Sequence, residues 1–316
     1  MRYDFAPMEG VTDAIFRSTH ARIFADGRAD RYFTPFLSPN QNHIVDEKRV
    51  HDWRPEQNAG LNVVPQLLTK NAEDFIWMAG ILRDWGYTEV NLNLGCPSGT
   101  VAAKGKGAGA LRDPAALERL LDGIYAGSPL PVSLKTRLGI ADASEFPAIL
   151  EIYNRYPVKE LIVHPRVQKQ MYRGEADRAA FAAALAGSKA PVCYNGDLFT
   201  ADACRALAAE YPAVSGLMLG RGLAADPALV RLARGGSGLA LAELQAFADA
   251  LFAEYCTAFR SEKSAINRMK ALWNLWFTVF EDADELQKKM HRAAEPWAYR
   301  AAVRTAFAQG CLKAGV

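Results

Sequence analysis

The sequence has no run of about twenty apolar residues. It opens Met1-Arg2-Tyr3-Asp4-Phe5 without a cleavable hydrophobic segment, so neither a membrane span nor secretion is expected. Cysteine is sparse. Cys96, Cys193, Cys204, Cys256 and Cys311 are odd in number and form no CxxC pair, which argues against a disulfide framework and against a zinc site. No metal is expected, and a reducing cytoplasm is the default compartment. One-sided charge is missing too: 37 Lys+Arg against 35 Asp+Glu leave a net charge of +2, too small to announce nucleic-acid binding by itself. No glycine-rich dinucleotide fingerprint follows the first strand-like run. Internal repeats are absent, and the one biased stretch is rich in alanine, near 179–190.

What is present is alternation. Half of the 316 residues are hydrophobic, enough to bury a large core. Short strand-like runs recur at 3–7, 32–36, 61–67, 89–93, 131–136, 160–164, 191–195 and 216–220. Helical signals separate them: Thr12-Asp13 before Ala14, Asn71 before a run at 72–85, Asp113-Pro114 before 115–125, and Thr200 before a run at 203–211. Strand followed by helix, eight times over, predicts an α/β protein built on a (β/α)8 TIM barrel. A short helix at 226–233 is followed by Arg234-Gly235-Gly236-Ser237-Gly238, a linker signal. Beyond it the runs 241–259, 263–280, 284–293 and 297–309 lack strand alternation. Residues 1–238 are therefore expected to form the barrel and 239–316 a small C-terminal all-α domain. Trp273, Trp276, Phe277 and Phe280 have helical spacing and are expected in its core.

In such a barrel, chemistry lies at the C-terminal ends of the strands. Polar residues close the strand patterns there: Met8-Glu9-Gly10, Gln66, Asn93, Lys135-Thr136-Arg137, His164, Asn195-Gly196-Asp197 and Gly220-Arg221-Gly222. The sharpest signal is Asn91-Leu92-Asn93-Leu94-Gly95-Cys96-Pro97, which sets a thiol in a turn just past an apolar strand. Such a cysteine is placed to act as nucleophile or as proton donor. The loop after it, through Lys104-Gly105-Lys106-Gly107-Ala108-Gly109, carries two lysines and no acid, and reads as a lid. Asn195-Gly196 and Gly220-Arg221 follow strands seven and eight, where barrels commonly hold a phosphate. Lys135 is placed to put a fixed charge beside the ring of a phosphate-bearing cofactor such as a flavin, with His164 next to it.

Ala6-Pro7-Met8-Glu9-Gly10-Val11-Thr12-Asp13, Asn91 through Pro97, Lys135-Thr136-Arg137-Leu138-Gly139, Asn195-Gly196-Asp197 and Leu219-Gly220-Arg221-Gly222 together resemble the tRNA-dihydrouridine synthase family. The tail, with Arg268-Met269-Lys270-Ala271-Leu272-Trp273, resembles that family's RNA-binding domain. The resemblance implies an FMN-dependent reductase that uses NADPH, or NADH, to saturate the C5–C6 bond of uridines in tRNA. It would act as a cytoplasmic monomer. Pro7, Met8 and Gln66 would line the flavin ring, and Lys135 and His164 would contact it. Asn195, Gly196, Gly220 and Arg221 would hold the ribityl phosphate. Hydride delivered to C6 would leave enolate-like charge over C5 and O4, and Cys96 would protonate C5 as general acid, a thiol of ordinary pKa ~8.5 being a far better acid than a serine. Asn93 would orient the uracil, while Arg166, Arg268 and Lys270 would contact the RNA.

Residues 239–316 hold ten Lys/Arg against nine Asp/Glu, but the signs are segregated, which allows one cationic face. Two positions depart from the family pattern, Pro165 after His164 and Cys193-Tyr194 before Asn195. The rival readings are a free-pyrimidine reductase of the dihydroorotate dehydrogenase kind and a non-catalytic RNA-binding module. The helical tail argues against the first, and Cys96 with Lys135 and His164 against the second.

Overall fold

A computed structural model describes residues 1–316. Its sheet has nine parallel strands: β1 (Tyr3–Phe5), β2 (Arg31–Phe33), β3 (Val63–Val64), β4 (Gln66–Leu67), β5 (Val90–Leu94), β6 (Val132–Arg137), β7 (Leu161–His164), β8 (Val192–Tyr194) and β9 (Gly216–Leu219). They lie in the order β3-β2-β1-β9-β8-β7-β6-β5-β4. The eight expected strands are all present, and the ninth arises because one of them is cut in two. Pro65, which has no N–H to donate, separates β3, paired to β2, from β4, paired to β5. The two pieces together close the barrel. Thr34 bridges the gap, its hydroxyl accepting the Gln66 N–H at 3.0 Å and the Trp53 indole N–H.

The helices start where side chains cap them. Asp13 accepts from the Phe16 N–H at 2.9 Å, Asn71 from Glu73 at 2.8 Å and Asp113 from Ala116 at 3.0 Å, with Pro114 in the first turn of its helix. The expected helix at 226–233 is present only as Leu229–Ala233, and a separate short helix, Arg221–Ala225, precedes it.

The chain forms two compact units. One comprises Met1–Pro7, Asp30–Asp197 and Ala208–Met218, and the other Met8–Ala29, Leu198–Leu207 and Leu219–Val316. In the first, Ala6, Phe33, Val64, Ile162, Cys193 and Met218 fill the barrel interior. Beneath that layer, at the N-terminal ends of the strands, sits a ring of charge. Asp4, fully buried, lies 2.7 Å from Arg31 and 3.2 Å from Arg2, and both arginines also pair with Glu160. Glu89 pairs with Lys159 at 2.7 Å, and the Ser215 hydroxyl donates to Glu160 at 2.5 Å. Burial pushes the Asp4 carboxyl upward against the pull of Arg31, whereas the two arginines hold Glu160 below its usual range despite burial.

In the second unit the expected aromatic core is found. Trp273 and Trp276 are fully buried with ring centroids 5.2 Å apart, Phe277 is 5.2 Å from Trp273, and Phe247 meets Phe16 edge-on at 5.3 Å. The indole N–H groups are satisfied, Trp276 by Ala224 O and Trp273 by Tyr299 Oη, each at 3.2 Å. No helix is long and apolar enough to cross a membrane.

Removing one member of a buried ion pair strands its partner. Asp4→Ala is therefore expected to lower unfolding stability by about 3 kcal/mol. Urea denaturation monitored by circular dichroism checks this.

Candidate active site

The inward faces of neighbouring strands place the polar residues in register. Asn91 lies beside Ser133, Asn93 beside Lys135, and Arg137 beside His164. From these positions one hydrogen-bonded chain runs up through the barrel. The Ser133 hydroxyl donates to Glu89 at 2.6 Å, the Asn91 amide to Ser133 at 2.9 Å, the Gln66 amide to Asn91 at 2.7 Å and the Asn93 amide to Gln66 at 2.7 Å. Asn93 Oδ1 then accepts the backbone N–H groups of Gly95, at 3.0 Å, and Cys96, at 2.9 Å. Every link donates toward the Glu89 carboxylate, so the charged end fixes the orientation of each amide.

Cys96 is held from three sides. Asn93 caps its turn from below, while the Arg137 guanidinium donates to Gly95 O at 3.0 Å and to Val167 O at 3.1 Å. On the loop side Ala108 N–H donates to Cys96 O at 3.1 Å. The loop's glycines serve close packing there. A Cβ on Gly107, at φ +57°, would lie 2.9 Å from Cys96 Cβ, and one on Gly109 would lie 2.3 Å from Ala102 O. The loop is folded into the short helix Gly99–Ala102 and the 3-10 turn Gly107–Arg112.

Lys135 makes no hydrogen bond or ion pair with the protein. Burial, with the charge of Arg137, pushes its ammonium down to about 8, and the nearby Cys96 opposes this. Arg137 itself is pushed down to about 10, by burial and by Arg166, against the pull of Tyr172 and Cys96. A largely buried cation at a barrel mouth without a counter-charge suits a ring edge that gains negative charge on reduction, and the residues present thus fit an FMN.

Arg166 is placed differently. It is buried, and its five N–H groups go to Asp197 twice, to the Arg173 and Gly174 carbonyls, and to His164 Nε2 at 3.0 Å. That last bond leaves the His164 proton on Nδ1. The Asn195 amide donates to Met218 O at 2.8 Å, and a Cβ on Gly196 would lie 3.0 Å from the Tyr194 hydroxyl. Pro7 is partly exposed at the end of β1. Of the two family departures, Cys193 packs in the barrel interior and Tyr194 meets Phe181 edge-on at 4.7 Å, while Pro165 O accepts the Asp177 N–H at 2.7 Å.

The remaining expected residues lie in the second unit. Met8 N–H donates to Thr12 Oγ1 at 2.8 Å, in a turn that passes through Gly10 at φ +73°. Arg221 lies over the Phe199 ring at 5.3 Å, and a Cβ on Gly222 would lie 2.0 Å from Leu198 O. Arg268 lies over Tyr255 at 5.6 Å and is 3.4 Å from Asp13, and Lys270 donates to His291 O at 3.0 Å. The structure thus brings Gln66, Asn93, Cys96, Lys135, His164 and Arg166 together in the first unit. The sequence reading gave no role to Glu89, Asn91, Ser133 or Arg137. The signal for the middle two was polar residues repeating on one face of an otherwise apolar strand.

The barrel, with its thiol turn and lone lysine at the C-terminal face, shares its fold with two enzymes of known structure. Morphinone reductase aligns with a TM-score of 0.54 at 12% identity, covering 76% of this chain and 87% of its own. Histamine dehydrogenase from Rhizobium sp. 4-9 aligns with a TM-score of 0.56 at 11% identity, covering 74% of this chain and 45% of its own. Sequence goes further. The family model described as "Dihydrouridine synthase (Dus)" matches residues 4–308. A probable tRNA-dihydrouridine synthase of Rhodobacter capsulatus is 30% identical over 312 residues, 96% of this chain and 94% of that protein. Probable tRNA-dihydrouridine synthase 2 of Bacillus subtilis is 32% identical over 232 residues, 70% and 69% of the two chains. The chain belongs to the dihydrouridine synthase family.

Gln66→Met removes the middle of the polar chain and strands Asn91 Oδ1 and Asn93 Nδ2. It is expected to destabilise the protein by about 2 kcal/mol and to speed alkylation of Cys96 by iodoacetamide, read by mass spectrometry of the Cys96 peptide. A second test concerns Lys135. A ring carbonyl or nitrogen that accepts a hydrogen bond from its ammonium favours the charged form and lifts its pKa back toward the usual lysine range. Binding FMN near pH ~8.5 should then take up protons, and near pH ~6.5 should not, because Lys135 is already charged there. Calorimetry in buffers of different ionisation enthalpy reads the uptake, which Lys135→Met should abolish.

Proposed function

We propose that this protein reduces uridines in tRNA to dihydrouridine, using FMN at the barrel mouth and NADPH as reductant, as a cytoplasmic monomer. The observation that carries the reading is Cys96 pinned on Asn93 beside Lys135, a cation with no partner of its own. The FMN supplies the two-electron reduction of the C5–C6 bond when bound.

The chain's own residues do the rest. Lys135 neutralises charge at the pyrimidine edge of the ring, with Gln66 and Pro7 beside it. His164 lies beside the ring, and Arg166 acts by fixing the His164 tautomer, since its own donors are all engaged. Asn195 and Gly196 take the ribityl phosphate, and Gly220 and Arg221 are assigned to it on the sequence resemblance. Saturation of C6 leaves negative charge over C5 and O4 of the base. The Cys96 S–H bond then breaks as the C5–H bond forms, and Arg137 and Lys135 stabilise the thiolate left behind. Asn93 keeps one amide N–H for the uracil after donating to Gln66. Extrusion of a stacked uridine costs a few kcal/mol, which phosphate contacts offset. Residues 239–316, with Arg268 and Lys270, are proposed as the tRNA-binding domain. The tRNA position modified follows from how that domain seats the RNA.

The protein should purify yellow, with the visible spectrum of bound flavin, and tRNA from a strain lacking it should lose dihydrouridine at defined positions. Cys96→Ala should keep its flavin and its reduction by NADPH while dihydrouridine formation falls by about 10²-fold or more. Single-turnover kinetics with tRNA separates the two steps. Colourless protein, or a Cys96→Ala variant at full rate, overturns the proposal.

A further inference from the structure

Beside the thiol turn, in the first unit, two clefts of about 490 and 380 Å³ share Lys70, Ala116 and Leu120 and so form one continuous groove. The groove lies between the N-terminal ends of the helices Ala72–Asp84 and Pro114–Gly127. Lys70, Lys106 and Arg119 line one cleft, and Lys104 and Arg112 line the other. None of these five cations makes an ion pair or hydrogen bond with the protein. The two acids in the groove are engaged: Asp74 with His43 at 3.0 Å, and Asp113 in capping its helix. Burial, joined by the charges of Lys104, Lys70 and Arg49, outweighs the pull of Asp74 and presses the Lys106 ammonium below the usual lysine range. Cations gathered in this way concentrate positive potential along the groove, which favours an anion from outside.

We propose that this groove binds consecutive backbone phosphates of the RNA strand that carries the target base, a contact surface on the barrel itself and separate from the helical tail. The inference rests on the proposed tRNA activity. Three observations choose the occupant. The cations are spread along two joined clefts, which fits a polyanion rather than one phosphate. No aromatic ring lines either cleft, so an adenine has nothing to stack on, and the lining leucines Leu117 and Leu120 are buried, which leaves a protein helix or a lipid surface little to anchor on. The groove also reaches Cys96 through a single residue, since Lys106 precedes Gly107, which packs on Cys96. A strand that delivers its base to the thiol must pass over this segment.

The test uses flavin-loaded protein and a tRNA transcript carrying the target uridine. Lys70→Gln/Arg119→Gln should weaken tRNA binding roughly tenfold and lower the slope of log K against log salt by about 2. NADPH oxidation without tRNA, flavin content and kcat at saturating tRNA should stay as in the wild type. Lys104→Gln/Arg112→Gln, at exposed positions, should act in the same direction and guards against a folding artefact in the first variant. Unchanged affinity and salt slope, with wild-type tRNA reduction intact, overturn the groove alone. A raised KM for NADPH with tRNA affinity intact also overturns it, by assigning the cations to the dinucleotide. Wild-type protein that holds flavin and binds no tRNA overturns the functional reading and the groove with it.

Discussion

The arrangement of the candidate active site depends on one polarised chain of hydrogen bonds, from Glu89 through Ser133, Asn91, Gln66 and Asn93 to the backbone of Cys96. Amides inside a barrel are costly unless every donor finds an acceptor. Here a carboxylate at one end and two backbone N–H groups at the other leave each side chain a single satisfactory orientation. The thiol therefore inherits its position from a charge near the opposite end of the strands. Lys159 and Arg31 in turn hold that charge in place.

The two ends of the barrel treat ionised groups in opposite ways. At the N-terminal end every buried charge is matched, as the Asp4, Arg31 and Glu160 cluster shows. At the C-terminal end the matching is selective. Arg166 is saturated by carbonyls and Asp197, whereas Lys135, two residues before Arg137 on the same strand face, has no partner. A saturated cation supports the site, and an unsaturated one is available to a ligand. Burial alone would not separate them, since both side chains lie largely inside the protein.

Much of this was legible in the sequence. The eight strands, the caps at Asp13, Asn71 and Asp113 and the aromatic core around Trp273 were readable, because hydrophobic period and capping chemistry are local properties. So was Cys96, set in a Gly-Cys-Pro turn at a strand end. The division of one strand at Pro65 was not, because a proline near a strand's middle reads equally as an edge or a break. The polar chain was out of reach for another reason. Glu89, Ser133 and Gln66 are brought together only by lateral strand order and register, which no single strand encodes. The partners of Arg166 were out of reach as well, because the Arg173 and Gly174 carbonyls come from an irregular loop. The glycines at 107 and 109 looked like flexibility, and the backbone they make room for lies at Cys96 and Ala102.

Thr34 ties the wall of the barrel to its chemistry. Its hydroxyl fills in for the rung that Pro65 cannot supply, gripping the Gln66 N–H from the neighbouring strand. A circle interrupted by an imino acid is clasped there by an alcohol, alongside the backbone bonds of Leu37, and the residue so gripped is the middle link in the line that ends at sulfur. An isosteric valine would keep the shape and lose the clasp, so the slackening of a distant thiol could begin with the loss of one oxygen atom in the wall.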